Sequence, residues 1–173
     1  MRDTSYLDWP FLEPRHRELE AAIDTWAGTS LDCIRHDAID DSCRELVRRL
    51  GAAGWLEHAV PPLEAGARHD VRALCLIRET LARYEGLADF SFVMQGLGTG
   101  PISLFGSDAL RERYIPDVRA GRKIAAFALS EPNAGSDVAA VATTAEADGD
   151  AYILNGEKTW ISNGGIADFY TVV

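Results

Sequence analysis

The stretch FALSEPNAGSD, residues 127–137, lies where the periodicity of the sequence changes from helical to extended. A short apolar run at residues 124–129 leads into it and predicts a strand, after which proline, asparagine and glycine predict a turn. Gly135 leaves the backbone accessible to a ligand, while Ser130 and Ser136 offer hydroxyls suited to binding phosphate. Taken alone, the stretch is better explained as an ordinary turn between strands.

Downstream of this stretch, the sequence predicts short strands joined by tight turns. Asp148-Gly149 and Asn155-Gly156 both tolerate the positive φ angles of type I′ turns and so predict two hairpins. Residues 169–173 predict one more strand, which reaches the last residue of the sequence. Because such strands leave an open sheet edge, we expect further chain or a partner to complete the sheet.

Upstream of the stretch, apolar side chains recur at the spacing of one helix face and predict five helices. Their apolar stripes run over residues 19–26, 43–50, 74–84, 90–97 and 110–118. The chain is therefore predicted to be helical to about Arg122 and β thereafter.

Prolines, glycines and one polar segment predict the ends of these helices. Pro14 opens the first helix and Gly28 closes it. The segment from Ser42 to Glu45 fits a capping box for the second helix. Pro116 kinks or restarts the fifth helix, and Gly121 ends it.

Three glycines at alternate positions, Gly96, Gly98 and Gly100, invite comparison with a dinucleotide-binding loop. We reject that interpretation, because the spacing is not G-x-G-x-x-G and the preceding segment has a helical pattern instead of a strand. The glycines predict close packing of a helix.

Composition and charge exclude several classes of function. The net charge of -10, from 27 acidic and 17 basic residues, disfavours nucleic-acid binding. The three cysteines lack Cys-x-x-Cys spacing and the four histidines are scattered, which predicts no disulfide, no metal site, and histidines on the surface or in loops. No signal peptide or membrane span is predicted, and a reducing cytoplasm fits best.

A second stretch, NGEKTWISNGG at residues 155–165, combines an aromatic residue, a hydroxyl and a flexible turn. On a strand, Trp160 and Ser162 would point to the same side, where the indole covers a planar ring system and the hydroxyl bonds a ring nitrogen. The alternative is a core tryptophan followed by a polar residue at a strand end. For either stretch alone, the alternative is competitive.

Together, in this order and at this separation, the two stretches resemble the acyl-CoA dehydrogenase family, whose hallmark is T/S-E-P-x-A-G-S-D followed by K-x-W-I-T/S-N. The resemblance implies an α+β protein in which residues 1–122 form an N-terminal all-α helical domain. Residues 123–173 would begin an antiparallel β-barrel domain that carries FAD-binding motifs. The C-terminal helical bundle of the family would be absent, so the sequence is interpreted as an N-terminal portion.

The resemblance also assigns roles to particular residues. Leu129, Ser130, Gly135 and Ser136 match positions that hold the flavin ring and pyrophosphate, and Ser136 also matches a contact to the acyl-CoA thioester. In the second stretch, Trp160 and Ser162 match the pair that packs against the isoalloxazine and hydrogen-bonds near its N5 atom. Ile161, between them, is also counted among the cofactor-binding positions.

The sequence departs from the family pattern at one residue and in one short segment. Phe127, also counted among the cofactor-binding positions, stands where many members have tyrosine, and so lacks a polar group there. Residues 64–66, Glu-Ala-Gly, stand where the family usually has paired glycines. Serine replaces threonine at positions 130 and 162, which keeps both hydroxyls.

The family reaction removes a proton from the α-carbon of an acyl-CoA and transfers hydride from the β-carbon to flavin N5. The base is a glutamate in the C-terminal domain, so no catalytic residue is expected in this chain, and Glu131 matches a turn position. Electron-transfer flavoprotein as electron acceptor and a homo-oligomer are implied by the resemblance. Three alternatives stay open: an acyl-CoA oxidase, a related flavin monooxygenase, and a non-catalytic subunit that contributes a flavin half-site.

Overall fold

The computed structural model describes residues 3–60, 63 and 69–173, and shows helices followed by short strands. The α-helices are α1 (Pro14–Ser30), α2 (Ile39–Ala52), α3 (Leu56–Ala59), α4 (Val71–Tyr84), α5 (Gly86–Phe105) and α6 (Asp108–Arg119). The strands are β1 (Ala125–Ala128), β2 (Thr144–Asp148), β3 (Ala151–Asn155) and β4 (Phe169–Val172). The predicted order of helices and then strands is confirmed. The short α3 was not predicted, and the departure at residues 64–66 lies outside the described residues.

Two of the predicted helix ends are wrong. Helix α1 begins at Pro14 as predicted but continues past Gly28 to Ser30, because one glycine inside a helix costs only about 1 kcal/mol. Helix α2 begins at Ile39, so Ser42 lies inside the helix and not at its cap. The Ser42 hydroxyl instead accepts a hydrogen bond of 2.8 Å from the Arg35 N–H and donates one of 3.0 Å to its carbonyl, which ties α2 to the preceding loop.

The expectation of surface or loop histidines is wrong for His16, which is buried in α1. Its Nδ1 accepts a hydrogen bond of 2.9 Å from the Glu13 N–H, completing the N-cap of α1, and its Nε2 lies 3.0 Å from a carboxylate oxygen of Asp70. Asp70 in turn caps α4 by accepting from the Arg72 N–H. Burial raises the pKa of Asp70, but the hydrogen bonds from His16 and Arg72 outweigh it and lower the pKa overall. The pairing of His16 with Asp70 could not be predicted from local patterns, because the two residues are far apart in the chain.

Helix α5 is the centre of the fold, since it packs against α2, α3, α4, α6, β1 and β4. Its buried residues include Phe92, Gln95 and Thr99, which share one face of the helix, while Leu97 of the predicted stripe is exposed. The core that surrounds it is formed by Ile23, Leu46, Val47, Leu50, Leu56, Val60, Ile77, Leu81, Ile115 and Val118.

The glycines of α5 allow the close packing predicted for them at two of the three positions. A Cβ atom on Gly98 would lie 2.7 Å from the Cβ of Ala125 in β1, and one on Gly96 would lie 2.6 Å from the carbonyl oxygen of Ala59. A Cβ on Gly100 would meet nothing within 4 Å, so the prediction does not hold there.

Helix α6 runs through Pro116 without restarting and ends before Gly121, as predicted. Gly121 has a φ of +69°, and a Cβ there would lie 2.4 Å from the carbonyl oxygen of Val47. Both the left-handed conformation and the contact with α2 therefore require glycine.

The strands form two separate pairs. β2 and β3 are antiparallel, with Asp148 opposite Ala151, and β1 and β4 are parallel, with Ala125 opposite Phe169. The antiparallel pairing expected for this domain thus holds for β2 and β3. Of the β2–β3 loop residues, Gly149 alone has a positive φ, so the hairpin is present but its turn is not the predicted type I′.

The second predicted hairpin, at Asn155-Gly156, is wrong. β3 ends at Asn155, and in the described part of the chain no strand follows until Phe169. Gly156 is required by a close approach instead, because a Cβ there would lie 2.2 Å from the Thr143 hydroxyl oxygen.

Side-chain contacts join the helical part to β4. The rings of Tyr114 in α6 and Phe169 in β4 have centroids 4.6 Å apart. The Thr171 hydroxyl donates a hydrogen bond of 2.7 Å to the carbonyl of Gly98 in α5.

Among the described residues, none of the helices combines the length and the apolar character needed to cross a membrane.

Candidate functional site

The first group of predicted site residues lies at the carboxyl end of β1. Phe127 is in the strand, half-buried and opposite Thr171 of β4. Leu129 and Ser130 follow the strand and are also half-buried. They lead into a tight turn in which Glu131 and Ala134 exchange backbone hydrogen bonds of 2.9 and 3.2 Å.

Gly135 and Ser136 follow this turn and are exposed. Gly135 does not have a positive φ, and a Cβ on it would meet nothing within 4 Å. Neither backbone conformation nor internal packing therefore requires glycine here. Because Gly135 has no side chain, the space beside its backbone is open, and a phosphate group needs such space to approach closely.

The second group is centred on Trp160, whose relative exposure is 96%. The alternative of a core tryptophan is therefore wrong. The expected strand is also absent, since residues 156–168 contain no strand and Trp160 has a φ of +56°. A bulky residue in the left-handed region is strained, and such strain persists where the surroundings fix the backbone.

Two contacts fix the backbone on either side of Trp160. The N–H of Thr159 donates a hydrogen bond of 2.9 Å to the carbonyl of Ser130. The side-chain amide of Asn163 donates one of 3.0 Å to the carbonyl of Ala125 in β1. Ile161 and Ser162, which lie between these contacts, are half-buried. The structure thus brings the two predicted stretches together at the end of β1.

An ion pair links the same two stretches and was not predicted. Nζ of Lys158 lies 2.7 Å from Oε1 of Glu131 and also donates a hydrogen bond of 3.1 Å to the carbonyl of Leu129. Lys158, and after it the Thr143 hydroxyl and the Ala142 N–H, lower the pKa of Glu131 to about 2. The sequence feature that could have predicted this ion pair is the presence of an acidic residue in one stretch and a basic residue in the other.

The site offers hydrogen-bonding groups that the described protein atoms leave unused. Within the described ranges, the hydroxyls of Ser130, Ser136 and Ser162 make no hydrogen bond with protein. With the exposed indole of Trp160 and the open space at Gly135, they fit a ligand that has a flat ring system and phosphates. No group of described His, Cys, Asp and Glu residues is arranged to hold a metal ion.

Glu131, the carboxylate held between the two stretches, is not suited to act as a general base. With a pKa of about 2 and both oxygens occupied by hydrogen bonds, it is a weak proton acceptor. Its contacts instead give it a structural role in this arrangement.

Comparison with protein families gives two matches that together cover most of the chain. The family description "Acyl-CoA dehydrogenase, N-terminal domain" matches residues 13–122, and "Acyl-CoA dehydrogenase, middle domain" matches residues 126–173. Among curated proteins, "Probable acyl-CoA dehydrogenase fadE25" of Mycobacterium leprae is 38% identical over 165 residues, which are 94% of this chain and 42% of that protein. The chain thus spans less than half the length of this relative.

Solved structures give the same result. A glutaryl-CoA dehydrogenase from Mycobacterium smegmatis, in complex with FADH2, matches with a TM-score of 0.80 and 30% identity, covering 98% of this chain and 44% of that one. A chain in the structure of the electron transferring flavoprotein of Acidaminococcus fermentans matches with a TM-score of 0.78 and 28% identity, covering 95% and 44%.

Proposed function

Because the chain belongs to the acyl-CoA dehydrogenase family, we propose that its two stretches at the end of β1 bind FAD for the α,β-dehydrogenation of an acyl-CoA. The observation that carries the proposal is Trp160, a tryptophan that is 96% exposed and has a positive φ. Neither burial nor backbone preference explains this residue, whereas a ligand ring that covers the indole does. A solved homologue that contains FADH2 supports the same cofactor.

Each predicted residue has a proposed contact with the cofactor. Trp160 and Ile161 would pack against the flavin ring, and Ser162 would donate a hydrogen bond near N5. Leu129 and Ser130, with Phe127 beside them in β1, would border the ring, while the open backbone at Gly135 and the hydroxyl of Ser136 would bind the pyrophosphate. Ser136 would also contact the thioester ligand.

The bound flavin supplies the hydride acceptor, and this chain supplies the surface that orients it. Because Glu131 is already held by hydrogen bonds and the family's base is a glutamate of its C-terminal domain, we propose that no residue of this chain removes the α-proton. On its own, the 173-residue chain is then expected to show little or no dehydrogenation. We place the boundary between the helical and β domains at residues 122–123.

The partners and cellular setting of the complete protein belong to the same proposal. We propose electron-transfer flavoprotein as electron acceptor, supported by the match to a chain in a structure that bears this name. A homo-oligomer in the cytoplasm with a role in fatty acid metabolism would agree with the family.

The experiment that tests this function uses the full gene product. We expect it to retain FAD on purification, and we expect anaerobic addition of acyl-CoA thioesters to bleach the flavin absorbance. A protein that neither retains nor binds FAD would refute the proposal.

The alternatives are tested in the same preparation. Rapid reoxidation in air with formation of peroxide would identify an oxidase, and oxygenated products would identify a monooxygenase. FAD that binds but is not reduced by any acyl-CoA would favour a non-catalytic subunit.

A further inference from the structure

We propose that the Glu131–Lys158 ion pair sets the spacing between the two FAD-binding stretches and thereby the affinity for FAD. The inference rests on the function proposed above. It makes Glu131 and Lys158 positioning residues, because both act through their neighbours and neither is proposed to touch the cofactor.

The pair lies inside the site and not on an open surface. The side chains of Glu131 and Lys158 are 7% and 12% exposed. The two charged groups are therefore covered by neighbouring residues and do not extend freely into solvent. Lys158 also bonds the Leu129 carbonyl, so a single ammonium group holds the end of β1 and the turn that follows it.

The carboxylate of Glu131 also accepts two hydrogen bonds from backbone N–H groups. Its Oε2 accepts a hydrogen bond of 2.8 Å from the Ala142 N–H, and its Oε1 accepts one of 3.0 Å from the Thr143 N–H. Thr143 is in turn placed against Gly156, where there is no room for a Cβ atom. Glu131 therefore joins the first stretch, the segment before β2 and the second stretch at one point.

The position of Trp160 depends on this junction. Lys158 precedes it by two residues, and Thr159 between them bonds the carbonyl of Ser130. The left-handed backbone of Trp160 is strained and is kept only while its neighbours are held. Without the ion pair, residues 158–160 lose one of their attachments to the first stretch, and the indole leaves the place where the flavin ring would pack.

The test compares Glu131→Gln, Lys158→Met and the double variant in the full gene product. FAD is removed, and its dissociation constant is then measured by fluorescence titration. We expect each single variant to weaken binding by about tenfold, as for partners that orient a ligand-binding group. The double variant should have the same dissociation constant for FAD as the single variant that binds FAD less tightly, because the two residues act as a unit.

Glu45→Gln is the matched control. Glu45 is also paired with arginines, and these hydrogen bonds also lower its pKa to about 2, but it lies on α2. We expect it to leave the dissociation constant for FAD unchanged, even if the melting temperature falls. Hydrogen exchange at the Thr159 amide gives a readout without flavin, and it should become faster in Glu131→Gln and Lys158→Met only.

The outcomes separate this inference from the proposed function. A wild-type protein that binds no FAD refutes the function and, with it, the role of the pair. A wild-type protein that binds FAD, with single variants within twofold of it or with strictly additive effects, refutes the inference alone.

Discussion

The side-chain carbonyl of Gln95 in α5 accepts a hydrogen bond of 2.9 Å from the backbone N–H of Ala125 in β1. The carbonyl of Ala125 is bonded by the Asn163 side chain, so both backbone groups of this strand residue are satisfied by side chains and not by another strand. Because backbone groups of consecutive strand residues point to opposite edges, these contacts cover the edge of β1 that faces away from β4. The first strand of the site is thereby attached to the central helix.

Gln95→Leu is expected to destabilise the protein by about 1–3 kcal/mol, because it leaves the buried N–H of Ala125 without a partner. Urea unfolding followed by circular dichroism measures the difference. Glu112→Leu, which introduces the same residue at an exposed position on α6, is the control and should change the free energy of unfolding by less than about 0.5 kcal/mol. Equal effects of the two substitutions would show that the bond to β1 is unimportant.

Gly98→Ala and Gly28→Ala should have opposite effects on stability. At Gly98 the new Cβ would lie 2.7 Å from the Cβ of Ala125, so α5 and β1 must separate, at a cost of about 1–3 kcal/mol. Gly28 is exposed near the end of α1, and a Cβ there would make only ordinary contacts with the Tyr84 side chain, so replacing this helical glycine should stabilise by up to about 1 kcal/mol. Thermal unfolding of both variants tests this. A stabilising Gly98→Ala would mean that the contact is looser than the structure shows.

Trp160→Ala and Trp160→Gly separate backbone strain from ligand contact. Both remove the indole and should weaken FAD binding alike. Glycine also relieves the strain at a φ of +56°, so Trp160→Gly should be more stable without FAD than Trp160→Ala, by about 1 kcal/mol. The measurements are flavin titration and urea unfolding of the apoprotein. If Ser162→Ala and both Trp160 variants bound FAD normally, the site would be assigned wrongly.

The stabilisation by Glu131 should depend on pH with a definite sign. Its pKa is lowered from the ordinary 4.5 to about 2 in the folded protein, chiefly by Lys158. The contribution is therefore complete above about pH 5 and is lost as pH falls from 4.5 towards 2. The melting temperature of the wild type should exceed that of Glu131→Gln at pH 6, and the difference should become steadily smaller as the pH falls to 2.5. A difference that grows towards low pH would contradict the assignment.

Much of the helical architecture follows from local patterns in the sequence. Pro14 and Gly121 mark real helix ends, because each satisfies a local backbone requirement at that point. The errors arose where a distant contact decided the structure. Ser42 bonds the loop at Arg35 and does not cap a helix, and His16 is buried because Asp70 lies beside it.

For the candidate site, the sequence indicated which residues belong together but not how they are held. The two stretches do meet at the end of β1. Their backbone conformation was wrongly predicted, because an alternating pattern around Trp160 suggested a strand where the chain has left-handed residues at Trp160 and Asn163. The contact between Glu131 and Lys158 joins residues in different stretches, and such long-range pairs leave no periodic signal in one sequence.

The pairing of Ala125 with Phe169 has a consequence for the order in which the chain assembles during synthesis. The partner of β1 emerges about 44 residues later, a delay of roughly 2–9 seconds at ordinary rates of translation. Helix α5 is complete before β1 emerges, so its contacts at Gly98 and Gln95 are available throughout that interval. We therefore expect β1 to dock on α5 before β4 is synthesised, so that the edge of β1 facing away from β4 is already bonded to Gln95 and cannot pair with other chains.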